Sequence, residues 1–273
     1  MRLLSFLLAL PFAACAADKP VDAGPYVPSP QSVVADMLKL ADIGPQDFVI
    51  DLGSGDGRIV LTAAKVFGAK GFGVEIKDDL VKLSNEAAKK EGVADRVKFI
   101  KADLFKTDIS QATVLTMYLL PNTVNMLKDK LLTELRPGTK VLSHDYPLSG
   151  WIPEKYVQWD LEDKVQISGV TTTLIYLYMV PAKVQGEWRA QVPPSVGKGL
   201  SLSLKQQVTR LAGSAKLDGR EVVLDDLKIR GEQISFALPA KKAAFTGTVK
   251  GGTIEGIVEA GGAKAPWSAT LAK

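Results

Sequence analysis

The 273-residue chain carries one cysteine, Cys15, and one histidine, His144. Beyond residue 15 there is therefore no disulfide, thiolate nucleophile or cysteine-based metal centre. A lone histidine does not build a zinc site of the familiar kinds either, so no metal is expected. No G-x-S-x-G elbow occurs, and Ser143, His144 and Asp145 are consecutive, which rules against a serine-hydrolase triad. Charge of one sign is also scarce. A net charge of +4, from 34 basic and 30 acidic residues, is too small to argue for nucleic acid or a membrane surface, and no nucleic-acid partner is expected. From Val184 onward, however, 13 basic residues face 8 acidic ones, so any attraction to an anionic partner lies in that part.

Long hydrophobic runs are missing too. The apolar stretch at 3–14 falls short of the roughly 20 residues that span a bilayer as a helix. Preceded by Met1-Arg2 and followed by small residues, it matches a cleavable secretory signal over 1–16 and points to an exported, periplasmic or envelope-associated protein. Cys15 leaves two outcomes open. Ala14-Cys15-Ala16 fits ordinary cleavage, whereas Phe12-Ala13-Ala14-Cys15 resembles a lipoprotein box and would make Cys15 a lipid anchor.

What the chain does have is 46% apolar content, enough to fill a globular core. Residues 17–30, rich in Pro, Ala and Gly, read as a linker. Ser29-Pro30 reads as an N-cap with proline at the first helical position, opening a helix to about Ala41. Strands at 48–52, 71–75, 97–101, 112–118 and 139–143 then alternate with helices at 58–67, 78–91 and 122–135. That alternation predicts βαβ units on a parallel sheet. Two further β-rich runs, 156–167 and 171–179, have no convincing helix between them and suggest an antiparallel hairpin at the sheet edge. After about Lys183 the pattern changes to short alternating segments with turn signals such as Asp218-Gly219 and Gly251-Gly252, which suggest an antiparallel barrel or sandwich. The expectation is an α/β fold with a seven-stranded Rossmann-like domain over 31–183, followed by a smaller antiparallel β-barrel-like domain over 184–273. Trp188 and Trp267, near the ends of the second domain, suggest barrel closure, with side chains filling the interior.

The strongest local feature is Val49-Ile50-Asp51-Leu52-Gly53-Ser54-Gly55-Asp56-Gly57-Arg58. An apolar strand ends in an acid and runs through a glycine turn into a helix, at the strand end where open parallel sheets bind ligands. This G-x-G-x-G differs from the dinucleotide spacing, and a carboxylate before it suits a cationic ligand better than a pyrophosphate. The segment resembles motif I of class I methyltransferases that use S-adenosylmethionine (SAM). The resemblance implies that Asp51 faces the methionyl end of SAM, with Gly53, Gly55 and Gly57 forming the turn. It also implies that Glu75 accepts the ribose hydroxyls, that Asp103 accepts the adenine amine and that Leu104 lies beside the ring. The competing reading, solvated acids at helix starts, does not account for three acids at three successive strand ends.

More narrowly, Tyr26-Val27-Pro28-Ser29-Pro30, the motif through Val60 and Tyr118-Leu119-Leu120-Pro121 resemble the protein lysine methyltransferases that include the ATP synthase c-subunit enzyme. The likeness spans about 26–151. It implies a methyl acceptor that is a protein lysine, with Tyr118 at the meeting point of acceptor and methyl group. His144 is a candidate proton acceptor. Packing roles for Tyr118 and His144, a small-molecule acceptor, and a non-catalytic SAM-binding or envelope scaffold remain alternatives. On the leading reading the second domain recruits substrate or a partner.

Overall fold

The computed structural model describes residues 25–272, so the expected signal segment, Cys15 and residues 17–24 of the expected linker lie outside the described residues. The first helix, α1 (Gln31–Leu40), buries Val33, Val34, Met37 and Leu38 along one stripe. Next come β1 (Phe48–Leu52), α2 (Arg58–Phe67), β2 (Lys70–Glu75), α3 (Asp78–Lys90), β3 (Val97–Lys101), β4 (Val114–Met117), α4 (Pro121–Glu134) and β5 (Lys140–His144). The first sheet closes with β6 (Lys155–Asp160), α5 (Glu162–Ser168) and β7 (Thr172–Met179). Its strand order is β3-β2-β1-β4-β5-β7-β6. β1 to β5 are parallel, while β7 runs antiparallel to both β5 and β6.

Helix α2 buries Ile59 through Ala64 without a break. Ile59 and Ala63 join the core under α1, while Val60, Leu61 and Ala64 join the core under α3, and Lys65 and Val66 in the last turn are exposed. On the opposite face Val124, Leu127 and Leu131 of α4 pack against Ile50, Leu52 and Leu115 of the central strands. After β3 the chain crosses back to place β4 on the other side of β1. That reversal opens a crevice beyond the carboxyl ends of β1 and β4, the usual ligand position in such sheets.

The second sheet contains β8 (Gly186–Gln191), β9 (Leu200–Gln207), β10 (Arg210–Leu217), β11 (Arg220–Val222), β12 (Asp225–Arg230), β13 (Gln233–Leu238), β14 (Ala243–Lys250), β15 (Thr253–Ala260) and β16 (Ala263–Leu271). Hairpins turn at Asp218-Gly219, Gly251-Gly252 and Gly261-Gly262. Asp218 and Gly219 both have positive φ, at 51° and 79°, as a two-residue turn of this hand requires. Phe236, Phe245 and Trp267 fill the interior, with the two phenyl rings stacked at 4.5 Å and the indole edge-on to both.

Two expectations need correction, and the barrel-like form expected of the second domain is present as a half-barrel. A short helix, α5, does stand between the last two strands of the first sheet; its seven residues are too few for periodicity to reveal. Pro30, not Ser29, occupies the N-cap of α1, and no side chain caps that helix. The Ser29 hydroxyl is engaged elsewhere, at His144. The second domain is a curled half-barrel. Its first and last strands, β8 and β16, do pair, which places Trp188 and Trp267 on neighbouring strands, but β11 and β12 remain as edges in the middle of the segment.

The two sheets meet at the amino end of β5. Ala182 N–H donates to Gly231 O at 2.8 Å, and Arg230 Nε pairs with Glu154 Oε2 at 2.6 Å. A Cβ on Gly231 would come within 2.9 Å of Met179 Sδ and 3.2 Å of Gly138 Cα. This close backbone approach seats the half-barrel at the end of the sheet away from the crevice.

Candidate functional site

A cavity of about 330 Å³ fills the crevice. Its floor is the turn after β1. Gly53 and Gly55 adopt φ of 76° and 53°, and a Cβ would come within 2.7 Å of Leu119 at the first and 2.4 Å of Tyr26 at the second. Both the backbone conformation and the space therefore demand glycine. Asp51, Gly53, Gly55, Glu75, Asp103, Leu104 and Tyr118 all line the cavity, so the structure brings these candidates together from four strand ends. Gly57 and His144 do not line it. Gly57 serves packing instead, because a Cβ there would run into Phe99 and Ser84.

The acids are held in distinct ways. Asp51 is buried and accepts the Thr116 hydroxyl at 2.6 Å through Oδ1. Burial pushes its carboxyl up to about 7, against the Thr116 bond and with the help of Glu75 and Asp56 nearby. Glu75 accepts the Gly55 N–H through Oε2 at 3.0 Å, and the Ile76 and Lys77 N–H groups through Oε1 at 2.8 and 2.9 Å. Asp103 Oδ1 takes the Phe105 N–H at 2.8 Å. Ser54 also lines the cavity, while its Oγ packs against Gly73 and is buried without a hydrogen-bond partner among the described residues. A glycine cradle and three carboxylates, one of them with its charged form disfavoured chiefly by burial, suit a cationic ligand with several polar groups.

Residues Pro25 to Ser29 form one wall, a contribution that reading them as a linker missed. The Tyr26 ring lies over Gly55. Arg58 donates to Ser29 O at 2.7 Å while its other guanidinium nitrogens grip Asp56 at 2.6 to 3.1 Å. Burial pushes Asp56 up, but its bonds to Arg58 outweigh that and leave the carboxyl below its ordinary value. Arg58 was visible at the end of the glycine motif, yet nothing in the spacing connected it to a segment 29 residues earlier.

Another part of the cavity lining is built around Tyr118. Its hydroxyl donates to Asp145 Oδ2 at 2.9 Å, and its ring stacks on His144 with centroids 3.9 Å apart. Burial, and then the Asp145 charge, push the phenol well above the ordinary tyrosine value. His144 is fully buried behind this ring, with Nδ1 2.8 Å from Ser29 Oγ. Nε2 has no hydrogen-bond partner among the described residues, with Asp145 Oδ1 3.6 Å away. Burial lowers His144 to about 4, so it is neutral near pH 7. As a candidate catalytic base His144 is therefore misplaced: it supports the wall and does not reach the cavity. Asp145 and the buried Lys164, joined at 2.7 Å, complete the group. Neither was singled out, because Lys164 comes from a helix that carried no legible pattern.

A family model described as the ANTKMT methyltransferase domain matches residues 51–155. A protein-lysine N-methyltransferase of Saccharolobus islandicus is 45% identical over 157 residues, which cover 57% of this chain and 93% of the relative. An ATP synthase c-subunit lysine N-methyltransferase of Xenopus laevis is 35% identical over 130 residues, 48% of this chain, and the chain spans 57% of that relative's length. Among solved structures, an RNA methyltransferase from Salinibacter ruber in complex with S-adenosylhomocysteine has 46% identity and a TM-score of 0.52, covering 58% of this chain and 96% of that one.

Proposed function

The chain belongs to the methyltransferase family of the ANTKMT domain and the Saccharolobus protein-lysine N-methyltransferase, uses SAM, and on that premise we propose that its acceptor is the side-chain amine of a protein lysine. The observation that carries this reading is the 45% identity to that relative over 93% of its length, together with the place of Tyr118 among the residues that line the cavity. Bound SAM supplies a methyl group on a positively charged sulfur.

The proposed roles follow from chemistry. Asp51 would meet the cationic methionyl end, Glu75 would accept ribose hydroxyls, and Asp103 and Leu104 would hold the adenine. Gly53 and Gly55 let the backbone close in, with Tyr26 above them. Tyr118 aligns the acceptor nitrogen with the methyl group, and Leu119 and Leu120 keep water from the reacting centre. Transfer is an in-line displacement, so alignment and dryness supply most of the barrier reduction. Neither His144 nor the Tyr118 phenol is placed or poised to take a proton at neutral pH, so the acceptor arrives as the free amine after losing its proton to water.

The half-barrel sits at the far end of the sheet, so a recruiting role would act at a distance from the cavity. Export remains part of the proposal, supported by Met1-Arg2, the apolar stretch and the small residues near Cys15. Detection of the mature N-terminus in a periplasmic fraction tests it.

The acceptor is tested by incubating the chain with methyl-tritiated SAM and a whole-cell extract, then hydrolysing the protein fraction. Label in Nε-methylated lysine supports the proposal. Label confined to RNA, as the name of the Salinibacter relative would suggest, or to small molecules, contradicts it.

A further inference from the structure

Asp145 has no assigned part in the reaction, does not line the cavity, and is nonetheless the most elaborately held side chain beside it. Its backbone lies in the left-handed region at φ 63°, a conformation that non-glycine residues rarely keep without a local reason. Its amide donates to Leu174 O at 2.7 Å, which locks the residue against β7. The carboxylate then accepts from Leu174 N–H at 3.0 Å, from Lys164 Nζ at 2.7 Å to both oxygens, and from the Tyr118 hydroxyl at 2.9 Å. Lys164 Nζ also donates to Thr172 O, so the counter-ion is itself fixed. Burial acts to raise the Asp145 carboxyl, yet the charge and hydrogen-bond partners around it hold it below its ordinary value. It is thus an ionised acceptor and cannot donate.

That polarity decides which way the Tyr118 proton points. A phenol has one hydrogen to give and lone pairs with which to accept. With its hydrogen committed to an ionised carboxylate, the hydroxyl of Tyr118, a residue that lines the cavity, has only lone pairs left to offer a ligand group. We propose that Asp145, with Lys164 as its counter-ion, is a positioning residue that fixes the Tyr118 hydroxyl as a pure hydrogen-bond acceptor, so that an incoming amine is bound through N–H and its own lone pair is left facing the methyl group. Were the phenol free to rotate, it would donate to that nitrogen lone pair and occupy the electrons needed for the new N–C bond. In the transfer the C–S bond breaks with its electron pair retained by sulfur, while the nitrogen pair forms the N–C bond. The surplus N–H proton then leaves to water.

The inference rests on the amine-acceptor reading above, and two measurements keep the two separable. The first is a double-mutant cycle of Asp145→Asn and Tyr118→Phe, followed by single-turnover transfer from SAM to a lysine-peptide library, with SAM affinity measured alongside. Asn is similar in shape, but its amide group can donate to the phenol oxygen and release the phenol hydrogen. The expected result for Asp145→Asn is a loss of transfer rate of about a hundredfold, with SAM affinity held within about twofold. In the Tyr118→Phe background the same change should add nothing, because the group it acts through is gone. Rate losses that multiply in the double variant, or SAM affinity that falls in step, would assign Asp145 a merely structural role and overturn the proposal.

The second measurement needs no acceptor and no variant of Asp145. In the full chain labelled with carbon-13 at the tyrosine ring carbon bearing oxygen, the Tyr118 resonance is identified by its loss in Tyr118→Phe. It should remain in the phenol form as pH passes the ordinary tyrosine value of about 10, after exposed tyrosines have titrated. Titration together with the exposed tyrosines would refute the hydrogen bond, and with it the proposal, whatever the acceptor proves to be. If the resonance stays untitrated while lysine peptides take no label, the amine reading fails and the placement of Tyr118 stands.

Discussion

The Gly55 N–H donates to Glu75 Oε2 at 3.0 Å, tying the glycine turn after β1 to the end of β2. One carboxylate thereby shapes the floor of the cavity and presents its remaining lone pairs to a ligand. Substituting Glu75→Gln keeps the shape but replaces one acceptor oxygen with a donor. SAM affinity should drop by about ten- to a hundredfold, the range for hydrogen bonds to a charged group. Glu75→Ala, which also frees the Gly55 amide, should lose more. Isothermal titration of the two variants checks the order.

Asp51 makes cofactor binding depend on pH. Its folded-state value of about 7 exceeds the ordinary 3.8, so at pH 6 the ligand-free protein holds a proton that a cationic ligand would expel. SAM affinity should weaken by about tenfold per unit as pH falls below 7, with close to one proton released on binding at pH 6. Calorimetry in buffers of different ionisation enthalpy reads that proton directly. The same shift has the opposite sense for stability without ligand. Between pH 3.8 and about 7 the folded form binds more protons than the unfolded form, so this group's contribution to stability falls as pH rises through that window. Asp51→Asn should therefore melt higher than the parent at pH 8 in the absence of SAM, while binding SAM poorly.

His144 should leave no limb near neutrality in the pH profile of transfer, because it is buried and titrates at about 4. Its folded value is depressed below the ordinary 6.5, so it adds stability that is full above 6.5 and lost as pH falls through about 4. His144→Phe should preserve stacking on Tyr118 and break the link to Ser29. The expected outcome is weaker SAM binding, through a loosened wall at residues 25–29, with the pH profile of transfer otherwise unchanged. Steady-state kinetics between pH 6 and 9 decide the matter; an acidic limb in the parent that disappears in the variant would restore His144 as a proton acceptor.

The half-barrel should be dispensable for cofactor binding. Every residue lining the cavity lies between Pro25 and Tyr146, and the second sheet docks at the other end of the strands. A chain ending at Lys183 exposes the surface that Val208 covers and should melt lower. It should bind SAM within about twofold of the full chain, as expected for uncoupled sites. Loss of binding by a truncated chain that is folded by circular dichroism would show that the two sheets are coupled.

Most of the parallel sheet was legible because its signals are local. β3 runs over the same residues that the sequence pattern predicts, and the acids at 51 and 75 stand at the ends of apolar strands while Asp103 closely follows one. The turn residues Asp218-Gly219 and Gly251-Gly252 likewise marked real hairpins. What escaped was long-range. Ser29 meets His144 across 115 residues, and Arg58 meets Ser29 across 29, and neither pairing leaves a periodic trace. His144 looked catalytic because histidine is chemically suited to proton transfer, whereas burial and stacking against Tyr118 depend on the packed fold. Lys164 was overlooked for the converse reason, since a lysine in a short polar stretch reads as solvated until a carboxylate at 2.7 Å encloses it.

The central claim is that the cavity bounded by Asp51, Glu75, Asp103 and Tyr118 holds SAM. Calorimetric titration of the full chain with SAM, beside an Asp51→Ala variant shown to be folded, tests it most directly. Saturable binding by the parent that disappears in the variant is the predicted result. No binding by a folded parent, or equal binding by both, would contradict the account.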